Sequence, residues 1–285
     1  MNNLIFIGAG DVVTTFVQRY PDYQQSYHIT ILGRSELLGN SQQSLQRIQS
    51  LSNSITFYCC STDEGELLKH CRERSRREVT KENLKITEHL LKQGYLGKGP
   101  IFVLTNPSEV TAEYIYRRTQ NPHIYALGLD VDLARYRRIM ATYNLKDSPT
   151  DELLGLHYLG PVPKFYRTAD MIALRHQIDT PDEVSVLHRL SEQLEDTISS
   201  EFIGCRPPVL SGAQAIDNTL RAIAGQSSCL VSGLDDHTNA FVGGRLCTQA
   251  MSFSPCYPES VAEQHFFNNA LAGHKAFMTE LEPIK

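Results

Sequence analysis

The chain has 285 residues, of which 41% are hydrophobic, 27 basic and 32 acidic, for a formal net charge of -5. That length and apolar content suit two moderate cores, so a two-lobed globular chain is expected. The mild negative charge offers no general field to a polyanion, which argues against nucleic acid as a partner. No apolar run approaches the roughly 20 residues of a membrane-spanning helix. Asn2-Asn3 ahead of a strand-like run lacks the basic start and long apolar core of a signal peptide, so a cytoplasmic location is expected. The 7 cysteines lack the paired spacing of zinc or redox sites. They read as reduced thiols, mostly small core residues, and no metal is expected.

Leu4-Ile5-Phe6-Ile7 is an unbroken apolar run that ends at Gly8-Ala9-Gly10, the pattern of a buried parallel strand feeding a glycine turn. Val12, Val13, Phe16 and Val17 then recur at helical spacing. Gly8 permits the tight turn. Gly10 lets the backbone approach a dinucleotide pyrophosphate seated on the positive end of the next helix, beside Asp11 and Val12. The third glycine of that fingerprint falls at Val13. Further strands are expected at residues 29–32, 55–60 and 101–104, separated by polar helical stretches such as residues 81–93. This alternation argues an α/β fold with a Rossmann-type parallel sheet over residues 1–145. Beyond it the pattern becomes α+β, with a helix over residues 181–195, short strands at 200–203 and 240–246, and a last helix over 258–281. Residues 146–285 are expected to form a substrate domain facing the first across a cleft.

The second strand ends Leu32-Gly33-Arg34-Ser35. An NAD-binding domain usually carries a carboxylate there for the ribose 2'-hydroxyl. Gly33 instead leaves room for a 2'-phosphate, which Arg34 and Ser35 can bind by charge-assisted hydrogen bonds, so NADP(H) is expected over NAD(H). Glu36 stands nearby as the opposing charge, and a plain turn with a solvated arginine is the alternative.

Leu104-Thr105-Asn106-Pro107 closes a strand with an amide at the carboxyl edge of the sheet, where ligands bind in open α/β folds. Asp132 and Arg135 then stand three apart on one helical face. Asp130 competes for the acidic role, and the spacing to Arg135 decides for Asp132. His157 follows in Gly155-Leu156-His157-Tyr158. Asn, Asp, Arg and His are the set that reduction of a keto acid needs. Taken singly, the Asp132/Arg135 pair is equally an ordinary helical ion pair worth a few tenths of a kcal/mol, and a lone histidine is more often structural.

In this order the motifs resemble the L-lactate and malate dehydrogenase family. The resemblance rests on Gly8-Ala9-Gly10-Asp11-Val12, on Thr105-Asn106-Pro107, on the His157 segment and on a last helix after Ser254-Pro255. Its most specific part is Asp132-Leu133-Ala134-Arg135-Tyr136-Arg137, close to the family's Asp-Ser-Ala-Arg-Phe-Arg. It implies that His157 is the general acid and base, that Asp132 orients and stabilises its imidazole, that Arg135 grips a substrate carboxylate and that Asn106 bonds the reacting oxygen. It also implies a mobile loop with an arginine that polarises the carbonyl. Counting back from Asn83, which matches the family's asparagine, Arg76 takes that place, with Arg72, Arg74 and Arg77 as rivals. A solvated helix face interleaved with Glu73 and Glu78 is the other reading of this stretch. A functional cluster would suit a small anionic substrate with a second anionic group. The implied assembly is a homo-oligomer, dimer or tetramer.

The chain departs from the family at Leu156, Tyr158 and Leu159, where an acid, a glycine and an acid surround the histidine, and it lacks a strand between Leu37 and Ile55. A bulkier or less polar 2-oxo acid, or an imine, is therefore expected in place of lactate or malate. A non-catalytic dinucleotide sensor or assembly protein on the same fold is the competing reading.

Overall fold

The computed structural model describes residues 2–33, 36–37, 54–61, 72–96, 99–143, 152–154, 165–167, 182–203, 209–247 and 251–281. The first apolar run forms β1 (Asn2–Ile7). Leu4 and Phe6 enter one hydrophobic core while Ile5 and Ile7 enter another, because side chains alternate along a strand and helices cover both faces. The next strands are β2 (Tyr27–Leu32), β3 (Ser54–Tyr58), β4 (Ile101–Val103) and β5 (Ile124–Ala126). They lie parallel in the order β2-β1-β3-β4-β5.

Their register aligns Phe6, Phe57, Phe102 and Tyr125 across four neighbouring strands. The ring centroids are 5.5, 5.3 and 5.4 Å apart. Aromatic pairs at such distances contribute about 0.5–1.5 kcal/mol each beyond their burial, so the row opposes slippage of any one strand. The helices are α1 (Asp11–Arg19), α2 (Tyr23–Ser26), α3 (Arg72–Lys92), α4 (Ser108–Thr119), α5 (Gly128–Thr142), α6 (Glu183–Ile203), α7 (Val209–Ile223) and α8 (Val261–Leu281). Residues of α1 and α7 pack on the aromatic face, and those of α3 and α4 on the opposite one. None of the described helices is long and apolar enough to cross a membrane.

In the second half β6 (Glu152–Leu154) and β7 (Phe165–Arg167) form a small antiparallel pair. Then β8 (Cys229–Asp235), β9 (Ala240–Cys247) and β10 (Ser252–Pro255) continue the large sheet. They join it antiparallel at β5, through Ala126 opposite Ser232, and complete eight strands. The strand expected at residues 240–246 is β9. The strand expected at 200–203 is instead the last turn of α6. Val186, Leu190 and Leu194 recur earlier in α6 at helical spacing and pack with Leu129, Leu133 and Tyr136 of α5, which sets the helical period, and the helix runs on to Ile203.

Candidate functional site

Backbone hydrogen bonds lace the carboxyl ends of the parallel strands together: Gly8 N–H to Leu32 O at 2.9 Å, Cys59 N–H to Ile7 O at 2.8 Å, Leu104 N–H to Tyr58 O at 2.9 Å and Leu127 N–H to Val103 O at 2.9 Å. Of the residues singled out in the sequence, Gly8 and Gly10 follow the end of β1, Gly33 that of β2 and Asn106 that of β4. Gly8 has φ of 111°, and a Cβ on it would stand 2.7 Å from the carbonyl oxygen of Cys59. Only glycine fits there. Gly10 precedes α1 with nothing within 4 Å of where its Cβ would lie. Open space beside bare backbone at the start of a helix, whose first amides have no intrahelical partner, fits a pyrophosphate.

Val13 is buried against Phe6 and Phe16, filling the gap where a third glycine would allow closer helix packing. The close approach occurs elsewhere, on α7. A Cβ on Gly212 would meet Val12 Cγ1 at 3.0 Å and Leu104 Cδ2 at 3.7 Å, so α7 seats directly against the start of α1 and the end of β4. At the end of β2, Gly33 and Glu36 form a reciprocal cap: Gly33 N–H donates to Glu36 Oε2 at 2.7 Å, and Glu36 N–H to Gly33 O at 3.2 Å. Arg34 and Ser35, between them, lie outside the described residues.

The Asn106-Pro107 peptide is cis. Thr105 Oγ1 donates to Cys60 O at 2.6 Å, and the buried Asn83 of α3 donates from Nδ2 to Asn106 O at 3.1 Å. Burial pushes the neighbouring Cys60 thiol up to about 12, so it stays protonated and inert. Ser108 Oγ accepts from Gly128 N–H at 3.0 Å and donates to the buried Glu109 at 3.0 Å, whose other oxygen accepts from Ser232 Oγ at 2.8 Å. These bonds fix the first turn of α5 against the Asn106 turn. On α5, Arg135 Nη1 donates to Asp132 Oδ1. The side chains are 4% and 0% exposed, which separates this pair from the solvated helical ion pair of comparable spacing. Two buried charges cost several kcal/mol each to desolvate unless they are paired, and a site that grips an anion is one place where such charges are kept.

Asp130 goes elsewhere. Asn218 Nδ2 of α7 donates to Asp130 Oδ2 at 2.8 Å, and burial, outweighing Asn218 and the nearby Arg137, raises the carboxyl to about 6. A raised acid favours the protonated fold: its contribution is fully present below the unfolded pKa near 4 and is lost as pH rises through 6. Asp130→Asn keeps an acceptor for Asn218. It is expected to leave stability unchanged at pH 4 and to raise it by up to about 3 kcal/mol at pH 8, read from urea midpoints. Equal midpoints at pH 8 would show that the carboxylate is not held against burial. Asn218 and Gly212 were not legible as site residues, because nothing local in a small-residue amphipathic helix tells which strand edge it will meet.

The expected loop arginines lie on α3, which begins at Arg72; arginine and glutamate are good helix formers. Arg77 is taken up by α8, with Nη1 donating to Glu280 Oε1 and Oε2 at 3.2 and 3.1 Å and its guanidinium 5.7 Å from the Phe277 ring centre. His157, Tyr158 and Leu159 lie outside the described residues.

No protein-family profile and no curated protein sequence matches the chain. Solved structures do. Malate dehydrogenase from Plasmodium falciparum superposes with a TM-score of 0.74 at 13% identity, covering 100% of this chain and 99% of that one. Malate dehydrogenase from Archaeoglobus fulgidus, in complex with NADH, gives 0.69 at 14% identity, covering 98% and 99%. The minor L-lactate dehydrogenase from Enterococcus mundtii gives 0.65 at 13% identity, covering 98% of each. The chain has the lactate and malate dehydrogenase fold. That fold extends over the whole chain, and at these identities the walls of the site are free to differ from those of its relatives in shape.

Proposed function

We propose that the chain is a nicotinamide-dinucleotide-dependent oxidoreductase that interconverts a 2-oxo acid, or a related carbonyl or imine, with its 2-hydroxy or amino counterpart. The observation that carries the reading is the buried Asp132/Arg135 pair on α5, whose first turn is bonded to the turn that bears Asn106. The glycine turn at Gly8 and Gly10, with Asp11 and Val12 opening α1, would hold the dinucleotide, which supplies the hydride. In this reading Arg135 binds the substrate carboxylate, Asn106 donates to the reacting oxygen, Arg76 polarises the carbonyl and His157 delivers the proton. Asp132 stabilises the imidazolium that forms when His157 acts in reverse. Residues 1–145 form the dinucleotide-binding domain and also lend Arg76, Asn106, Asp132 and Arg135 to the substrate site, residues 146–285 form the substrate domain that bears His157, and the active form is a cytoplasmic homo-oligomer.

NADP(H) is the proposed cofactor. In support, Gly33 offers no side chain at the end of β2, and Glu36 engages the Gly33 amide. Arg34 and Ser35 are the proposed ligands of the 2'-phosphate. The test is oxidation of NADPH and of NADH against a panel of 2-oxo acids, with dissociation constants for both cofactors. Tighter binding of NADPH by about 10-fold or more, with turnover of at least one acid, is expected from charge-assisted contacts to the phosphate. Binding without turnover on any acid would favour a sensor, and equal affinities would remove the NADP assignment.

A further inference from the structure

Helix α4 is buried from Ser108 to Ile115 without a break, and a helix enclosed on every side is normally apolar. This one carries two acids. Glu109 and Glu113 stand four residues apart on one face, where like charges repel, and both are buried, which adds to the cost. Each is met by an element from the second half of the chain. Ser232 of β8 donates from Oγ to Glu109 Oε1 at 2.8 Å. The buried His274 of α8 has its Nε2 2.6 Å from Glu113 Oε2, and Arg117, one turn on, donates to the other oxygen of Glu113 at 2.7 Å.

The two contacts lead to different places. Glu113 braces α4 against α8. Glu109 leads to the site: its Oε2 accepts from Ser108 Oγ at 3.0 Å, and the same hydroxyl accepts from Gly128 N–H at 3.0 Å. Ser108 is two residues from Asn106, and Gly128 opens the helix that carries Asp132 and Arg135. At the other end of this chain of bonds, Ser232 is the residue through which β8 joins the parallel sheet, opposite Ala126 of β5. Side chains alternate along β8, so Ser232 shares a face with Leu234, which packs on the α4 side of the sheet. One residue thus makes the joint between the strands and bonds the acid that leads to the Asn106 turn.

Hydroxyl chemistry gives these bonds a direction. A serine hydroxyl has one proton. Ser108 takes the Gly128 N–H on a lone pair and gives its proton to Glu109, while Ser232 gives its own to the other oxygen. Without Ser232 a buried carboxyl oxygen loses this donor, and the shift passes through Ser108 to the first turn of α5. In the proposed chemistry Asn106 meets the reacting oxygen and Arg135 the carboxylate of one small molecule. A displacement of α5 against α4 therefore misaligns the two ends of the substrate.

We infer that Glu109 is a positioning residue of the reaction: held to β8 by Ser232, it sets through Ser108 where α5, with Asp132 and Arg135, stands against Asn106. The inference rests on the oxidoreductase reading and extends it to a side chain that touches neither substrate nor cofactor. It also divides the two buried acids of α4, giving Glu109 to the reaction and Glu113 to the packing of α8.

The test uses the full chain with NADPH and a 2-oxo acid that it turns over. Ser232→Ala is expected to lower kcat by about 10- to 100-fold, the usual consequence of misplacement by an ångström. KM and the affinity for NADPH should stay within about 3-fold of wild type, because Arg135 travels with α5 and keeps its grip. Ser108→Ala should lower kcat in the same way. Since both hydroxyls act through one carboxyl, the double variant should be no slower than the slower single one. His274→Gln keeps a donor for Glu113 and should leave kcat unchanged, whatever it does to the urea midpoint. Wild-type kcat in Ser232→Ala, losses that multiply in the double variant, or an equal loss in His274→Gln overturns the inference. If no acid turns over, the oxidoreductase reading fails by itself. The positioning is then read from amide hydrogen exchange over residues 128–132: faster exchange in Ser232→Ala and Ser108→Ala with wild-type exchange in His274→Gln upholds it, and any other pattern overturns it.

Discussion

Asp132→Asn is expected to lower kcat by about 10²–10⁴-fold, the usual worth of positioned acid–base catalysis, while the affinity for NADPH stays within about 2-fold of wild type. The substitution keeps the size of the side chain and an oxygen that accepts from Arg135, and removes only the charge. Two consequences follow from that. Under the proposed mechanism the imidazolium of His157 loses its counterion, which the kinetics read. The buried Arg135 loses its counterion too, which should cost about 3–5 kcal/mol of stability. A purely structural pair would show the second effect alone. Arg135→Gln separates the roles further, because loss of the carboxylate grip should appear mainly as a rise in KM, whereas Asp132→Asn should appear mainly in kcat. In the double variant the stability losses should cancel in part, since no unpaired charge remains. Both variants retaining wild-type kcat and KM would remove this pair from the chemistry and leave it as a buried ion pair within α5.

Gly8→Ala is expected to prevent stable folding, and Gly10→Ala to spare folding while abolishing dinucleotide binding. At Gly8 the backbone has φ of 111°, a conformation costing a side chain about 1–3 kcal/mol. The added Cβ also meets the Cys59 carbonyl at 2.7 Å. That obstacle is backbone in the next strand, already bonded through Cys59 N–H to Ile7 O at 2.8 Å, so it cannot swing aside as a flexible side chain would. The soluble fraction and the urea midpoint should both collapse. At Gly10 the Cβ enters open space, so the midpoint should move by less than about 1 kcal/mol. The same Cβ occupies the approach to the start of α1, and NADPH should no longer be retained. A Gly10→Ala protein that binds NADPH as wild type does would show that the pyrophosphate is seated elsewhere.

Much of this edge was legible in the sequence because its signals are local. An apolar run followed by Gly-Ala-Gly needs no distant partner to declare a strand, a turn and a helix start. The spacing of Asp132 and Arg135 puts them on one helical face wherever the helix goes. The strand expected at residues 200–203 failed for the opposite reason: a segment of four residues satisfies either period, and it continues a helix whose earlier turns pack on α5. The strands β8 and β10 and the helix α7 passed unseen among glycines, serines and alanines.

By itself, then, the sequence determined the alternation of strands and helices at the amino end, the glycine turn, and the helical face that carries Asp132 and Arg135. Each of these depends on residues within a few positions of one another. Tertiary structure decided what depended on distant partners. It turned Asp130 toward Asn218 and left Asp132 buried with Arg135. It joined the three late strands to β5, since an edge with open hydrogen-bonding groups can be closed by a strand from anywhere in the chain. It also claimed Arg77 for Glu280, a residue 203 positions away. The glycine turn gained in definition from the fold: Gly8 is required by a carbonyl in a neighbouring strand, and Gly10 by the space it leaves open.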